Sequence, residues 1–462
     1  MKFFYLNLGC KSEETLIQQL EGRGHQAALV SGSHNEWYMD HINFRDRRDL
    51  DFNPSGSGLL PTKLYLIETS NFVEMTKPLR NRYLLSGAWG SDSVWNEWAT
   101  KSLRFWYSVL IENNIELLIF NGSPHHLYTF ALYNSAKSVG IPTILLEKTD
   151  IEGRIVAKRS LLNEYVIPKS NDIKKESTNN KSFEFGAEAY WLQAKKQSVS
   201  ITGRVKNNFD RSKRLGLCGI FFGRCIYDDR SLITRLYVKC RSKFINKVLF
   251  FLFRFRLCID VVKERFNRKA KQICIFLQVE PEKNCFPCGG DFFDQAMLLE
   301  RVIGRIHSSR VVIKEHPSQF SSWQSAWQGR KIRFYLIGLF NSRVIFTNKM
   351  PVCLNNESVK LGFLTLGGSL GLDLLRANKN CKIIGYPWYQ YGYSEGNVSK
   401  EAVDSFLDGL AADGDLENSD KLKNSLDGFQ FPGSVSKWCK VETLDWVELI
   451  ESIESAVEEN AR

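Results

Sequence analysis

The sequence predicts a two-domain α/β protein in which each half carries a parallel sheet with helices against it, and three observations lead there. Apolar β-type runs alternate with helical stretches twice, once from Phe3 to Glu147 and again from Gln272 to Gly385. At 462 residues the chain exceeds one ordinary core. In both halves the apolar runs stop at short polar tips punctuated by Gly or Pro, the places where open α/β sheets hold ligands.

The first half opens with a strand at Phe3 to Leu8, a helix near Glu13 to Arg23 and a strand at Ala27 to Val30. A polar stretch from Ser31 to Gly58 follows, then a strand at Leu64 to Ile67 and an aromatic helix from about Val94 to Asn113. Glu116 to Phe120 is the clearest strand. It ends at Asn121-Gly122-Ser123-Pro124-His125-His126, and a helix to about Val139 leads into Gly140 to Glu147. Strand, helix and strand in that order make a right-handed crossover between parallel strands. His125 and His126 therefore stand at a carboxyl edge, as substrate contacts or as residues that open the helix.

Lys169 to Ser182 is rich in Asn, Lys and Ser and reads as an exposed linker, followed by mainly helical sequence to Lys271. The second half has strands at Gln272 to Leu277, Val311 to Ile313, Arg343 to Thr347, Leu361 to Leu366 and Lys382 to Gly385. Helices are expected at Asp294 to His307, Gln319 to Gln328, Leu370 to Asn378 and Leu444 to Glu459. The boundary falls near residue 270, giving 1–270 with a basic helical extension at about 183–270, and 271–462 closed by the last helix. Two such halves form a paired Rossmann-like architecture with a cleft between them.

Charge is concentrated in one window. The formal net charge is +11, and Arg235 to Lys271 holds twelve Lys/Arg against Asp260 and Glu264. Phe244, Val248, Phe250, Phe251, Phe253 and Phe255 are interleaved with them. Such a stretch either lies on an anionic membrane surface or packs its apolar face on its own domain. It accompanies no recognised nucleic-acid-binding motif, so nucleic acid is not an expected partner. No apolar run reaches the roughly 20 residues of a spanning helix, and Met1 to Leu8 reads as a strand rather than a signal peptide. Eleven cysteines at scattered spacing suit a reducing cytoplasm. Cys285 and Cys288 form a lone C-x-x-C with no second pair and no following histidine, which does not meet the spacing of a zinc site.

Two tips in the second half carry the candidate chemistry. Val311 to Ile313 runs into Lys314-Glu315-His316-Pro317, and Phe363 to Leu366 runs into Gly367-Gly368-Ser369 with a helix starting at once. The helix's N–H groups and positive end would bind an anion, with the Ser369 hydroxyl as a further donor. The His316 imidazole suits proton donation or hydrogen bonding to a departing phosphate. Glu280, Glu282, Asp291 and Asp294 gather beside the first strand tip of this half, either as the source of the one catalytic carboxylate a sugar transferase needs or as the ordinary acidic side chains of a surface loop. Gly367-Gly368-Ser369-Leu370-Gly371 also matches the nucleophile elbow of hydrolases. That fold needs a histidine after the serine, and none of the seven histidines follows residue 369. A hydrolase using Ser369, with His316 out of the usual order, and a purely structural glycine turn stay as competing readings.

From Leu277-Gln278-Val279-Glu280-Pro281-Glu282, through Gly289-Gly290, Asp294-Gln295, Val312 to Phe320 and Thr365 to Gly371, to Gly385-Tyr386-Pro387-Trp388-Tyr389, the second half resembles the bacterial capsule polysaccharide biosynthesis proteins. That family includes transferases of 3-deoxy-manno-octulosonic acid (Kdo). In the first half only Pro124-His125 and Gly140-Ile141-Pro142 join the match. The resemblance implies a metal-independent GT-B glycosyltransferase without a cofactor. A CMP-sugar or other nucleotide-activated donor sits on the second domain, and a glycan or glycolipid acceptor faces the first.

On that resemblance His316 and Pro317 correspond to the His-Pro pair on the donor phosphate, and Ser369 with Gly367 and Gly368 to the element that cradles it. Gln278 and Glu315 belong to the same motifs. Family members usually work on the cytoplasmic face of the inner membrane. Kdo-transferring members commonly carry an aspartate just after the glutamine of the first motif, where this chain has Glu280 and Glu282. The catalytic carboxylate and the stereochemical outcome therefore stay open. The alternative within the same fold is a non-catalytic glycan-binding component of an assembly or export complex.

Overall fold

The structure is a computed structural model that describes residues 1–8, 11–32, 72–76, 92–125, 127–149, 153–162, 164–168, 248, 255–256, 259–260, 271–278, 285–316, 336–337, 340–347, 361–389, 399–411, 430–432 and 446–461. The strand expected at Leu64 to Ile67, the helix at Gln319 to Gln328, the linker and most of the basic extension lie outside them.

The first half contributes β1 (Lys2–Leu8), α1 (Lys11–Gly22), β2 (Gln26–Gly32), α2 (Asp92–Glu112), β3 (Leu117–Asn121), α3 (Leu127–Ser138), β4 (Thr143–Lys148) and β5 (Arg154–Lys158). The second contributes β6 (Gln272–Phe276), α4 (Gln295–Arg305), β7 (Arg310–Lys314), β8 (Val344–Thr347), β9 (Leu361–Leu366), α5 (Ser369–Arg376), β10 (Cys381–Ile384), α6 (Lys400–Ala411), β11 (Phe431–Pro432) and α7 (Val447–Ala461). Sequence patterning missed β5, β11 and α6. The apolar part of β5 is only Ile155-Val156-Ala157, too short to separate from a loop by periodicity.

The strands form two sheets, ordered β11-β5-β4-β3-β1-β2 and β10-β9-β6-β7-β8. The second is parallel throughout. The first is parallel from β2 to β4, but β5 runs antiparallel to β4, so its far edge departs from the all-parallel expectation. Two Rossmann-like α/β units of this kind make a GT-B-like fold.

Alternation along the strands sorts the cores. In the second sheet Ile273, Ile275, Val311, Ile313 and Leu364 face one way, onto α4 and α6. Cys274, Phe276, Val312 and Phe363 face the other, onto α5, Trp388 and Tyr389, and reach Val156 and Tyr165 of the first half. α7 covers a face of the first sheet: Trp446, Leu449, Ile450 and Ile453 pack with Phe3, Tyr5, Ile144 and Ile155. The Trp446 indole N–H donates to the Ser12 carbonyl at 2.9 Å. Around it Arg23 pairs with Glu451 and Glu454, and Arg159 with Glu459.

The described part of the basic extension docks on β8, the edge of the second sheet. Asp260 accepts from the Phe346 N–H at 3.1 Å, and Arg256 donates to the Val344 carbonyl at 3.0 Å. The two side chains also pair with each other at 2.9 Å. The Arg256 and Asp260 side chains thus satisfy two outward backbone groups of β8 that a further strand would otherwise take. Phe255 beside them is 63% exposed. Among the described residues no helix is long and apolar enough to cross a membrane.

Candidate functional site

In the second sheet the chain runs outward from β6 through β7 to β8, then returns to place β9 and β10 on the other side. The strand order reverses between β6 and β9, and ligands of open α/β sheets bind outside the carboxyl ends at such a point. The polar tips stand there. Gln278 follows β6, Glu315 and His316 follow β7, and Gly367, Gly368 and Ser369 follow β9. Because β6 separates β7 from β9, those outer tips lie two strand spacings apart, roughly 10 Å.

The last ladder row before the tips reads Ile383, Thr365, Phe276, Lys314, Thr347. Thr365, Lys314 and Thr347 are all buried in it. Lys314 Nζ donates to the Glu315 carbonyl at 2.7 Å. Burial lowers its pKa, and the neighbouring Glu315 carboxylate works against that. The Thr365 hydroxyl is buried beneath the glycine turn with no hydrogen-bond partner among the described residues.

The glycine turn is dictated by its neighbours. Gly367 has φ +43°, in the left-handed region. A Cβ on Gly368 would overlap Gln278 Nε2, and one on Gly371 would overlap the Tyr389 hydroxyl. That hydroxyl donates to the Gly368 carbonyl at 2.8 Å. So the G-x-S-x-G match has a packing cause. Ser369 opens α5 exposed, with Gly368 as the N-cap residue. In the first turn of α5 the Gly371 N–H donates to the Gly368 carbonyl at 2.9 Å, and helix geometry gives the Ser369 and Leu370 N–H groups no intrahelical partner.

The exit of β6 is held by a residue that the sequence reading named only within the resemblance and gave no role. Gln295, fully buried, accepts from the Gln278 N–H and donates to the Gln278 carbonyl, both at 2.9 Å, in place of a neighbouring strand. It also donates to Cys285 Sγ at 3.4 Å. The C-x-x-C loop is a brace: the Cys288 carbonyl accepts from the Tyr386 N–H at 2.8 Å, and a Cβ on Gly385 would overlap it. Asp294 caps α4 by accepting from the Ala296 N–H at 3.0 Å, and Asp291 accepts from the Lys400 N–H that begins α6. Glu280, Glu282, Pro317 and His126 lie outside the described residues.

In the first sheet the order reverses between β1 and β3, and His125 is half-buried beyond the β3 tip. Its Nδ1 lies 2.9 Å from the Ser123 carbonyl oxygen. The Ser123 hydroxyl donates to Glu147 Oε1. Glu147 Oε2 pairs with Lys158 Nζ at 3.6 Å, both side chains buried. Lys158 Nζ crosses to the second half, donating to the Tyr386 carbonyl at 3.2 Å, and Tyr165 donates to the Pro387 carbonyl at 3.1 Å. Burial acts to lower the Lys158 pKa, but Glu147, with smaller help from Tyr165 and Cys288, holds it above the ordinary lysine range. Glu147 and Lys158 were invisible in the sequence. Each sits in a short apolar strand, and only the β4–β5 pairing brings them together.

No family model and no curated protein matches the sequence. Solved structures do. Thermosulfurimonas dismutans KpsC, a beta Kdo 2,7 transferase, matches at 13% identity and TM-score 0.29, over 76% of this chain and 89% of that one. Methanocaldococcus jannaschii UDP-GlcNAc 2-epimerase, in complex with UDP-GlcNAc and UDP, matches at 10% identity and TM-score 0.26, over 99% and 100%. S. aureus MnaA with UDP matches at 12% identity and TM-score 0.23, over 93% and 94%. At these TM-scores no site or activity is carried across.

Proposed function

We propose that the protein is a GT-B-type glycosyltransferase of cell-surface polysaccharide synthesis, moving a sugar from a nucleotide-activated donor without a metal. The donor lies against residues 271–462 and a glycan or glycolipid acceptor against residues 1–270. The observation that carries the reading is the meeting of Gln278, Glu315, His316 and the Gly367 to Ser369 turn at the switch point of a parallel five-stranded sheet.

Departure of the nucleotide develops negative charge on its phosphate. Fixed donors aimed there stabilise the transition state more than the ground state. The Ser369 and Leu370 N–H groups at the start of α5, the Ser369 hydroxyl and His316 supply those donors. Lys314 adds positive charge in the row behind them. Glu280 and Glu282 are the candidate catalytic carboxylates, Gln278, Glu315 and Pro317 line the donor side, and His125 and His126 face the acceptor. A CMP-sugar, with Kdo or a similar acidic sugar, is the favoured donor on the residue-level resemblance to the capsule family. The exposed Phe255 within the basic extension supports a peripheral place on an anionic, cytoplasmic membrane face.

The test is release of free nucleotide from a panel of CMP-, UDP- and GDP-sugars. Release from at least one, lost in His316→Ala and Ser369→Ala, supports the transferase. Tight nucleotide-sugar binding without turnover would instead make the chain a glycan-binding component of an assembly complex. Covalent labelling of Ser369 by a serine-directed phosphonate would make it a hydrolase.

A further inference from the structure

Alternation along β5 divides its side chains between the two halves. Ile155 and Ala157 lie in the first-half core that α7 covers, while Val156 lies in the core it shares with Phe276 and Phe363 of the second sheet. Lys158 continues the Val156 face. The chain then doubles back, with the Arg159 N–H donating to the Glu164 carbonyl at 2.7 Å and the Val166 N–H to the Ala157 carbonyl at 2.9 Å, so Tyr165 stands opposite Lys158. Residues opposite each other in antiparallel pairing share a face, and the Lys158 ammonium lies 5.2 Å from the centre of the Tyr165 ring. A buried cation and a phenol thus leave the first half side by side.

They meet the segment that follows β10. The Tyr386 N–H donates to the Cys288 carbonyl at 2.8 Å, the Tyr386 carbonyl accepts from Lys158 Nζ at 3.2 Å, and the Pro387 carbonyl accepts from the Tyr165 hydroxyl at 3.1 Å. Two consecutive carbonyls are therefore held by first-half side chains. One residue further, Trp388 meets the Tyr389 ring edge-on with centroids 5.5 Å apart, in the same core as Val156 and Tyr165. Tyr389 then donates to the carbonyl of Gly368, the residue before Ser369.

We infer that Lys158 and Tyr165 are positioning residues of the donor site: through Tyr386 to Tyr389 they set where the Gly368 carbonyl, and with it the start of α5, stands. The inference rests on the transferase reading above, in which that turn holds a nucleotide phosphate. Pro387, whose ring fixes φ, and the buried Trp388 and Tyr389 side chains make the link between the two ends stiff. A displacement of the link reaches the turn, because the Tyr389 hydroxyl fills the space that a Cβ on Gly371 would take. Donor affinity therefore depends on the first half staying docked against the second.

Calorimetry with CMP, UDP and GDP measures nucleotide affinity without an acceptor. Tyr165→Phe removes the donor to the Pro387 carbonyl and keeps the ring beside Lys158. Its affinity for the best-bound nucleotide is expected to fall about 2- to 30-fold, with donor KM rising in step, and Tyr389→Phe is expected to fall in the same range. Because both break one relay, the double variant should lose less than the product of the two. Lys158→Met/Glu147→Gln removes the other tie without stranding a buried charge and should weaken binding similarly. Thr143→Val serves as the control. It deletes a hydroxyl bond of 2.8 Å to the Arg159 carbonyl, between β4 and the residue after β5, and should lower the melting temperature with nucleotide affinity unchanged. Wild-type affinity in folded Tyr165→Phe and Lys158→Met/Glu147→Gln, losses that simply multiply in the double tyrosine variant, or equal weakening by Thr143→Val would overturn the positioning role and leave the transferase standing. Absence of both nucleotide binding and nucleotide release in the wild-type chain would overturn both.

Discussion

Tyr389 donates its buried hydroxyl to the Gly368 carbonyl at 2.8 Å, so a residue past the end of β10 fixes the turn that opens α5. Gly371 leaves the space for that hydroxyl, and a Cβ there would also crowd Ile383 and Thr365. Gly371→Ala is expected to cost about 1–3 kcal/mol by overpacking. Tyr389→Phe is expected to cost about 1 kcal/mol for the lost hydrogen bond. In the double variant the overlap with the hydroxyl is gone, so its loss should be smaller than the sum of the two. Urea unfolding of all four proteins measures the coupling, and simple additivity would deny it.

His316 and Ser369 stand past β7 and β9, on tips separated by β6, and the transferase proposal has both act on one phosphate. Removing either donor is expected to lower nucleotide release about 10²- to 10³-fold, or about 2.7–4 kcal/mol of transition-state stabilisation. The melting temperature should barely move, because Ser369 is exposed and His316 only half-buried. Steady-state kinetics alongside thermal melts separates the two effects.

Lys158 and Glu147 are both buried, and the ammonium spans the two halves. Lys158→Met leaves a buried carboxylate uncompensated and is expected to cost about 3–5 kcal/mol, much of it recovered in Lys158→Met/Glu147→Gln. The pH dependence has a definite sign. The folded-state pKa of Lys158 is raised, so its contribution is complete below the ordinary lysine range and drains away as pH climbs through the raised value. Alkaline denaturation should show a component in the wild type that Lys158→Met lacks.

Asp260→Ala removes the acceptor for the Phe346 N–H and the partner of Arg256 at the β8 edge. A loss of about 1–3 kcal/mol is expected. Concentration-dependent association by analytical ultracentrifugation should accompany it, since an uncovered edge strand templates pairing.

The basic extension should sediment with anionic liposomes at low salt and release as ionic strength rises, because the attraction is screened over about 10 Å at 0.1 M. Binding indifferent to salt, or none, would assign that stretch wholly to the β8 edge.

The strand tips and the glycine turn were legible in the sequence because each is local: an apolar run, a breaker and a polar residue in a row. That Gly368 and Gly371 are shaped by Gln278 and Tyr389 was not, since packing partners at long range leave no periodic trace. Gln295 reads as one more polar residue in the first turn of a helix, yet it completes the β6 exit. Arg256 and Asp260 read as an ordinary i, i+4 pair in a charged window. Their use as an edge cover depends on β8, distant in sequence. The sign of the basic window was plain from composition, whereas its docking on the sheet was not.

Trp446 and the helix it begins bury Phe3, Tyr5 and Ile144, residues separated from it by most of the chain. A nascent polypeptide therefore leaves the ribosome with one side of its earliest sheet bare until the final segment emerges. A fragment stopped near residue 270 should come out as inclusion bodies, and supplying 271–462 in trans should rescue it only if that piece carries its own last helix.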